Sequence, residues 1–167
     1  MFSVHATKKL LDRVRQPVVD PFIEPTTALG NWYATAIFWR PQVALFVNER
    51  TLLPVLVPLA PATTLLDRFP GALLEVLVAQ EVDRRFVAAE VAESRHGSFA
   101  KTANRSLLGI MNEFTFLGGL MERDLGSGAL LRISLELSET PCIPLYKSHG
   151  SPDRELKSLV EGWLDSP

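Results

Sequence analysis

Residues 31–59, NWYATAIFWRPQVALFVNERTLLPVLVPL, decide the predicted fold. The stretch is rich in aromatic and β-branched residues, which favour strands. Turn-like breaks fall at Arg40-Pro41 and at residues 48–50. The pattern therefore predicts a meander of three strands. Their approximate bounds are residues 31–39, 42–48 and 52–59.

The two later strands are nearly continuous apolar runs, which indicates that this part of the sheet is covered on both faces. Pro54 and Pro58 interrupt the third strand. Because proline cannot donate a backbone hydrogen bond, this strand is predicted to lie at an edge of the sheet or to carry its prolines on a free side.

The flanking segments add one strand and several helices. Phe2, Val4 and Ala6 alternate with polar residues and predict a short strand, after which Thr7 can cap a helix. Beyond Pro61 the apolar spacing becomes helical, and Pro70-Gly71 is expected to break or kink the first of these helices. Residues 96–103 are predicted as a loop, with a short strand as the alternative. Further helices are predicted at about residues 82–94, 104–122, 129–137 and 153–164.

Residues 129–137 fit both a strand and a helix, and we favour the helix. The fold class is then α+β, a small antiparallel sheet of the N-terminal strand plus the three-stranded meander, packed against several helices. The 167 residues, 47% of them hydrophobic and 22% charged, are expected to form a single domain over residues 1–167.

Composition gives no support to several classes of protein. The formal net charge is −2, whereas a nucleic-acid coat protein or a polybasic membrane binder is usually basic. Cys142 is the one cysteine, so no internal disulfide forms and a reducing cytoplasm is predicted. The longest apolar run, residues 52–62, is too short for a membrane span, and the N-terminus lacks the apolar core of a signal peptide.

Metal and cofactor sites are not predicted. His5, His96 and His149 lie far apart in the sequence, and none of them stands at the spacing of a metal-ligand pair. No phosphate-binding or hydrolase motif is present. Cys142 and His149 are seven residues apart, which leaves a Cys-His nucleophile open. A small buried thiol in a turn is the reading that we favour.

The segment KTANRSLLGIMNEF, residues 101–114, contains the one candidate surface. At about 100° per residue, its large apolar side chains gather on one side of a helix. Arg105, Gly109, Asn112 and Phe116 gather on the opposite side. The glycine removes side-chain bulk between Arg105 and Asn112, so a partner can approach closely there.

The same segment starts a helix, where free backbone N–H groups and the helix dipole favour an anion. Arg105 can bind a phosphate or carboxylate through two hydrogen bonds. The alternative is structural, with Thr102 or Asn104 as a simple cap and Arg105 paired to a carboxylate. Lys8, Lys9, Arg13 and Arg15 form a second small basic cluster. The candidate binding residues are Lys101, Thr102, Asn104, Arg105, Gly109 and Asn112.

The segments VHATKKLL, LGNWYATAIFW, VALFVNERTLLPVLVPL, KTANRSLLGIMNEF and ETPCIPLY together resemble a bacterial domain-of-unknown-function family. The resemblance rests on Thr7-Lys8-Lys9, Trp32, Asn104-Arg105-Ser106 and Met111-Asn112. It implies a bacterial cytoplasmic protein whose relatives are sometimes fused to plasmid or mobile-element proteins. It implies no established activity.

Three functions follow as hypotheses. The first is a non-enzymatic binding or regulatory domain that contacts a protein or nucleic acid through residues 101–112. The second is a metal-independent nuclease or toxin-like enzyme, with Arg105 and Lys101 on phosphate and His96 or His149 as general acid or base. The third is a structural module that oligomerises through its apolar strands or its final helix.

Overall fold

The computed structural model describes residues 1–21, 23–121 and 126–167, and these residues form five strands and six helices. The strands are β1 (Phe2–Ala6), β2 (Trp32–Ile37), β3 (Val43–Asn48), β4 (Pro54–Pro58) and β5 (Gly97–Lys101). The helices are α1 (Lys8–Val14), α2 (Leu65–Ala79), α3 (Arg84–Glu93), α4 (Arg105–Met121), α5 (Ala129–Ser138) and α6 (Pro152–Leu164).

The strands form one sheet in the order β4-β3-β2-β1-β5. The meander β2-β3-β4 is antiparallel, with Thr35 opposite Leu45 and Leu45 opposite Leu56. The α+β class and the meander are therefore confirmed. β4 lies at an edge with Pro54 and Pro58 at its two ends, as the missing N–H groups of proline predict.

The other half of the sheet is parallel, so the sheet is mixed. β1 lies between β2 and β5 and runs parallel to both, with Val4 aligned to Trp32 and to Phe99. Helical connections precede β2 and β5 and return the chain to the amino end of β1, as parallel pairing requires. β5 falls in the segment predicted as a loop with a short strand as the alternative, and the strand is what forms.

The first face of the sheet carries the larger core. Side chains at every second position of β1, including Phe2 and Val4, pack with residues of α1, α2, α3 and α6. The Phe69 ring of α2 lies 5.0 Å from the Trp32 ring and 4.5 Å from the Phe46 ring, centroid to centroid. These contacts bury the first face completely at its centre.

The second face is covered by α4 and α5. Leu45 and Val47 of β3 pack there against Met111 and Phe114 of α4. On α5, the Ser134 hydroxyl accepts a 3.1 Å hydrogen bond from the backbone N–H of Leu56, so this helix also covers the edge strand β4. The meander is thus buried on both faces, as its continuous apolar runs predict.

The structure tests the helices that were predicted around Pro70 and over residues 129–137. The break expected at Pro70-Gly71 is wrong, because α2 continues through both residues. Pro70 forfeits one backbone hydrogen bond, but it is buried beside Phe69 and Leu73, and this core packing holds the helix together. The helix favoured for residues 129–137 is confirmed as α5. The predicted end of α4 at Glu122 lies outside the described residues.

Candidate functional site

The candidate site lies at the carboxyl ends of β1 and β5. After β1 the chain enters α1, which packs on the first face, and after β5 it enters α4, which packs on the second face. Where two adjacent parallel strands send their connections to opposite faces, a crevice opens outside their carboxyl ends, and ligands bind at such points in open sheets. We call this place the carboxyl-edge crevice and define it by the residues that end or follow the two strands, namely Thr7, Lys8, Lys101, Thr102, Asn104 and Arg105.

A threonine follows the last residue of each of the two strands, Thr7 after β1 and Thr102 after β5. The Thr7 and Thr35 hydroxyl oxygens lie 2.9 Å apart and share a hydrogen bond. The backbone N–H of Thr102 donates to the Ala6 carbonyl oxygen at 3.3 Å, which joins the ends of β5 and β1. The Thr102 hydroxyl is buried, and it has no hydrogen-bond partner among the described residues. Thr102 is therefore not the cap of α4.

Asn104 caps α4. Its Oδ1 accepts a 3.2 Å hydrogen bond from the Leu107 N–H, and its carbonyl oxygen accepts from the Leu108 N–H at 3.1 Å. Within the described chain, the backbone N–H groups of Arg105 and Ser106 have no acceptor. The first turn of α4 thus retains free donors at the positive end of the helix dipole.

Cations from two distant segments end or follow the parallel strands β1 and β5. Arg105 and Lys101 are exposed, and neither forms an ion pair with any residue that the structure describes. The Lys9 ammonium nitrogen lies 6.0 Å from the centre of the Phe38 ring, whereas Lys8 pairs with Asp12 at 3.3 Å. Lys9, Lys101 and Arg105 therefore have no acidic partner among the described residues.

Gly109 and Asn112 lie farther along the exposed side of α4. They share that side with Arg105 and with Phe116, whose side chain is 67% exposed. A Cβ atom added to Gly109 would meet nothing within 4 Å. No neighbouring part of the described chain therefore requires a glycine here, and the predicted close approach is open only to a separate molecule.

His5, next to the last residue of β1, is paired with Tyr33 of β2, and neither appears among the sequence-predicted site residues. Their rings stack at 4.7 Å between centroids with an angle of 18°. His5 is only 8% exposed, and in the described parts of the chain its ring nitrogens have no hydrogen-bond partner. Burial raises the pKa of Tyr33, a rise that a hydrogen-bonding contact of its hydroxyl with the Asn104 side chain opposes.

A weak signal for this pair of rings is present in the sequence. The alternation that sends Phe2, Val4 and Ala6 to the first face also sends His5 to the second face. The signal becomes specific only once His5 is aligned with Tyr33, and that register depends on the parallel pairing of β1 with β2. Local patterns do not reveal parallel pairing.

The remaining reactive side chains do not join the crevice. Cys142 is buried, its Sγ donates to the Thr140 carbonyl oxygen, and burial raises its pKa to about 11. The His149 ring contacts Glu155, with Nδ1 and Oε1 3.2 Å apart. The Cys-His nucleophile is therefore not formed, because the thiol stays protonated and the imidazole is engaged elsewhere.

A separate cavity of about 690 Å³ lies between β4, α2 and α5. Arg68, the one cationic side chain among its described lining residues, donates to the carbonyl oxygens of Pro58, Leu59 and Pro61 and is thereby occupied. None of the sequence-predicted site residues lines this cavity.

Residues 1–21, 23–121 and 126–167 hold no group of three or more metal-ligating side chains that could bind a metal ion. None of the helices in these residues has the length and apolar character needed to cross a bilayer.

Comparison with known proteins identifies a family. No curated protein and no solved structure matches the chain. The family model described as "Domain of unknown function (DUF6933)" matches residues 3–155, a span that runs from β1 into α6 and includes the whole carboxyl-edge crevice. The chain belongs to the DUF6933 family.

Proposed function

We propose that this protein is a non-enzymatic binding domain that holds a phosphate group of a nucleic acid at the carboxyl-edge crevice. One observation carries the proposal: the free N–H groups of α4, Lys101 and Arg105 meet where the connections of β1 and β5 leave on opposite faces. Free helix N–H groups and unpaired cations stabilise an anion jointly. An acidic protein partner offers similar chemistry and is the second outcome that the experiment below separates.

The placement of His96 and His149 weighs against the roles that the nuclease hypothesis gives to these two residues. The His96 carbonyl oxygen accepts from the Phe2 N–H at the amino end of β5, whereas Arg105 follows the carboxyl end. At about 3.3 Å per residue, a five-residue strand separates the two by roughly 16 Å. The His149 ring is engaged by Glu155. Neither proposed general acid or base therefore serves a phosphate bound at Arg105.

The apolar surfaces that the oligomerisation hypothesis requires are packed against other parts of the same chain. The apolar side chains of the meander are covered by helices on both faces. On the final helix, Leu156 and Val160 are buried in the first-face core, and the Trp163 ring lies edge-on to Phe86 at 5.4 Å. The apolar groups that were expected to join a second copy are used inside the fold.

The experiment compares wild type with Arg105→Ala and Arg84→Ala. Arg84 is a matched control, because it is also exposed and is also the first residue of a helix. Binding to labelled single-stranded RNA, to single-stranded DNA and to an acidic peptide is measured at about 50 mM and about 200 mM salt. Loss of one charged hydrogen-bonding group predicts roughly ten-fold weaker binding for Arg105→Ala and a salt dependence lower by about one charge.

Three outcomes would count against the proposal. Equal binding by the two arginine variants would remove Arg105 from the contact. A melting temperature several degrees lower for Arg105→Ala, with no nucleic-acid binding by wild type, would make Arg105 structural. Binding to acidic peptides but not to oligonucleotides would assign the crevice to a protein partner.

The setting that the family resemblance implies is part of the same proposal. A bacterial cytoplasm supplies nucleic acid and a reducing milieu, and the protonated Cys142 thiol suits such a milieu. An association with plasmid or mobile-element proteins would place nucleic acid close by. Fractionation of cells that express the native gene would test the location, and recovery outside the cytoplasmic fraction would contradict it.

A further inference from the structure

We infer that the cavity between β4, α2 and α5 binds a small organic dication, meaning an apolar body with an ammonium group at each end. This cavity is separate from the carboxyl-edge crevice, because β4 and β5 form opposite edges of the sheet. The inference therefore goes beyond the proposed function and does not depend on it. Three features support it, namely the apolar wall of the cavity, its shortage of free hydrogen-bond donors and two carboxylates at its side.

The cavity has the size and the lining of a small-molecule site. Its volume of about 690 Å³ lies within the range of pockets that hold small organic ligands. α2 and α5 approach β4 from opposite faces of the sheet and contact each other, so the cavity follows the covered edge of this strand. The apolar body of a ligand is removed from water there. The apolar wall includes Val43, Leu56, Val57, Val76 and Leu131.

The free side of β4 supplies a backbone acceptor but no free backbone donor. The N–H group of Leu59 donates across the ladder to the chain beside β3 at 3.0 Å, so the even-numbered residues of β4 point their backbone groups away from β3. Pro54 and Pro58 have no N–H group, and the N–H of Leu56 donates to the Ser134 hydroxyl at 3.1 Å. The carbonyl oxygen of Leu56 points to the same side, where it can accept a hydrogen bond from a ligand.

Arg68, the one cationic side chain among the described lining residues, is engaged with the segment that follows β4. Its guanidinium donates to the carbonyl oxygens of Pro58 at 2.6 Å, Leu59 at 3.2 Å and Pro61 at 2.9 Å. It also donates to the Thr64 hydroxyl at 3.2 Å. An anionic ligand would have to compete with these four hydrogen bonds, so the cavity is poorly suited to an anion.

Two carboxylates on α2 give the cavity its preference for positive charge. Asp67 and Glu75 line it and are exposed, and neither forms a hydrogen bond or an ion pair with any residue that the structure describes. They are eight residues apart, which separates them by roughly 12 Å along the helix. Gly71 lies midway, and a Cβ atom added to it would meet nothing within 4 Å. A ligand body can therefore lie over Gly71 with one ammonium group near each carboxylate.

The test titrates the full chain with an eight-carbon aliphatic diamine that carries one ammonium group at each end. The diol and the dicarboxylate of the same chain length and the eight-carbon monoamine are the comparison ligands, because they change the charge and keep the apolar body. The backbone amide NMR signals of Gly71 and Ala72 report binding in wild type, and that of Gly162 in α6 is the reference.

The variants block the cavity or remove one of its charges. Gly71→Leu adds a side chain where the structure has open space, and Gly162→Leu is the matched control, because Gly162 is also an exposed helical glycine with nothing within 4 Å. Asp67→Asn and Glu75→Gln each remove one charge. Glu161→Gln on α6 is the control for them.

In wild type the diamine should shift the Gly71 and Ala72 signals and bind about ten-fold more tightly than the diol or the dicarboxylate. Asp67→Asn, Glu75→Gln and the use of the monoamine should each weaken binding about three-fold, because each removes one exposed ion pair. Gly71→Leu should lose diamine binding. Gly162→Leu and Glu161→Gln should bind the diamine as wild type does.

Four results would overturn the inference. Equal affinity for the diamine and the diol would show that the carboxylates do not select the ligand. Tighter binding of the dicarboxylate would assign the cavity to an anion held by Arg68. Diamine binding that survives in Gly71→Leu, or that leaves the Gly71 and Ala72 signals of wild type unchanged, would place the ligand elsewhere. Absence of binding by every probe would remove the site, and none of these results bears on the oligonucleotide experiment.

Discussion

Thr102 places a buried hydroxyl at the end of β5 without a hydrogen-bond partner in the described chain. Thr51 is its counterpart in the turn between β3 and β4. The Thr51 hydroxyl donates to Asn48 Oδ1 at 3.0 Å and accepts from the Leu53 N–H at 3.1 Å. The threonine hydroxyl therefore has hydrogen-bond partners at position 51 and none at position 102. Replacement of threonine by valine should change the free energy of unfolding in opposite directions at the two positions.

Thr102→Val should stabilise the protein by about 1 kcal/mol, because it removes a buried group that pays a desolvation penalty and replaces it with a methyl of similar size. Thr51→Val should destabilise it by about 1–3 kcal/mol, because two bonds are lost and their buried partners remain. Urea unfolding of both variants measures the difference. A destabilised Thr102→Val would indicate that its hydroxyl has a partner in solution.

Individual residues of the candidate site were predictable to different degrees. Asn104 as a cap and Arg105 on an exposed side follow from helical geometry alone. Gly109 was expected to allow a close approach, yet its surroundings are open, so helical geometry located the residue but not its purpose. His5 and Tyr33 became visible only through the register of two parallel strands, which local spacing does not encode.

At the scale of elements, α4 contains two glycines with opposite roles. A Cβ atom on Gly118 would lie 3.0 Å from the Trp39 ring and 3.6 Å from Ile133, because the helix approaches the Trp39 side chain closely there. Gly109 has no such neighbour within 4 Å. The absent side chain is a packing requirement at Gly118 and only a loss of helix propensity at Gly109.

Gly118→Ala should destabilise the protein by about 1–3 kcal/mol through overpacking against Trp39. Gly109→Ala should stabilise it by up to about 1 kcal/mol, because alanine is the better helix former in an open position. Thermal and urea unfolding compare the two variants within one helix. If both substitutions stabilise, the ring of Trp39 moves away at little cost and the close approach is not a constraint.

The elements themselves were largely predictable, and the exceptions have physical causes. The meander follows from β-branched runs and turn residues, and α5 from its helical apolar spacing. The strand β5 was ambiguous because Gly97–Lys101 holds only two core side chains, Phe99 and Ala100. The break expected at Pro70 was wrong because tertiary packing outweighed one missing hydrogen bond.

At the scale of the whole molecule, Glu90 joins α3 to the turn before β2. The buried carboxylate accepts hydrogen bonds from the N–H groups of Ala28 at 2.8 Å and Leu29 at 3.1 Å. Burial raises the pKa of Glu90, while these two bonds and the nearby Arg50 oppose the rise.

The pairing order of the five strands could not be predicted from the sequence, because it depends on contacts between segments that lie far apart in the chain.

A raised carboxyl pKa has a definite sign for stability. The contribution of Glu90 is fully present below the unfolded pKa and is lost as the pH rises through the folded pKa. Glu90→Gln should lower the free energy of unfolding by about 1–3 kcal/mol, because its amide NH₂ faces a backbone N–H. The difference in the free energy of unfolding between wild type and Glu90→Gln should widen as the pH falls from about 8 to about 5. We call this difference the gap.

Urea unfolding across that pH range measures the gap. Glu161→Gln on the exposed side of α6 is the matched control. A Glu90→Gln gap that is constant, or that narrows toward acid, would contradict the raised pKa of the buried carboxyl.

The central position of β1 has a consequence for the order of folding. β1 is synthesised first among the strands, but its outer neighbour β5 follows the meander and two long helices. On the ribosome, one side of β1 therefore remains an open edge after β2 has paired with the other side. Because parallel pairing between distant segments closes slowly, docking of β5 should be the last step in completing the sheet. The nascent chain with that edge still open is the species most exposed to aggregation.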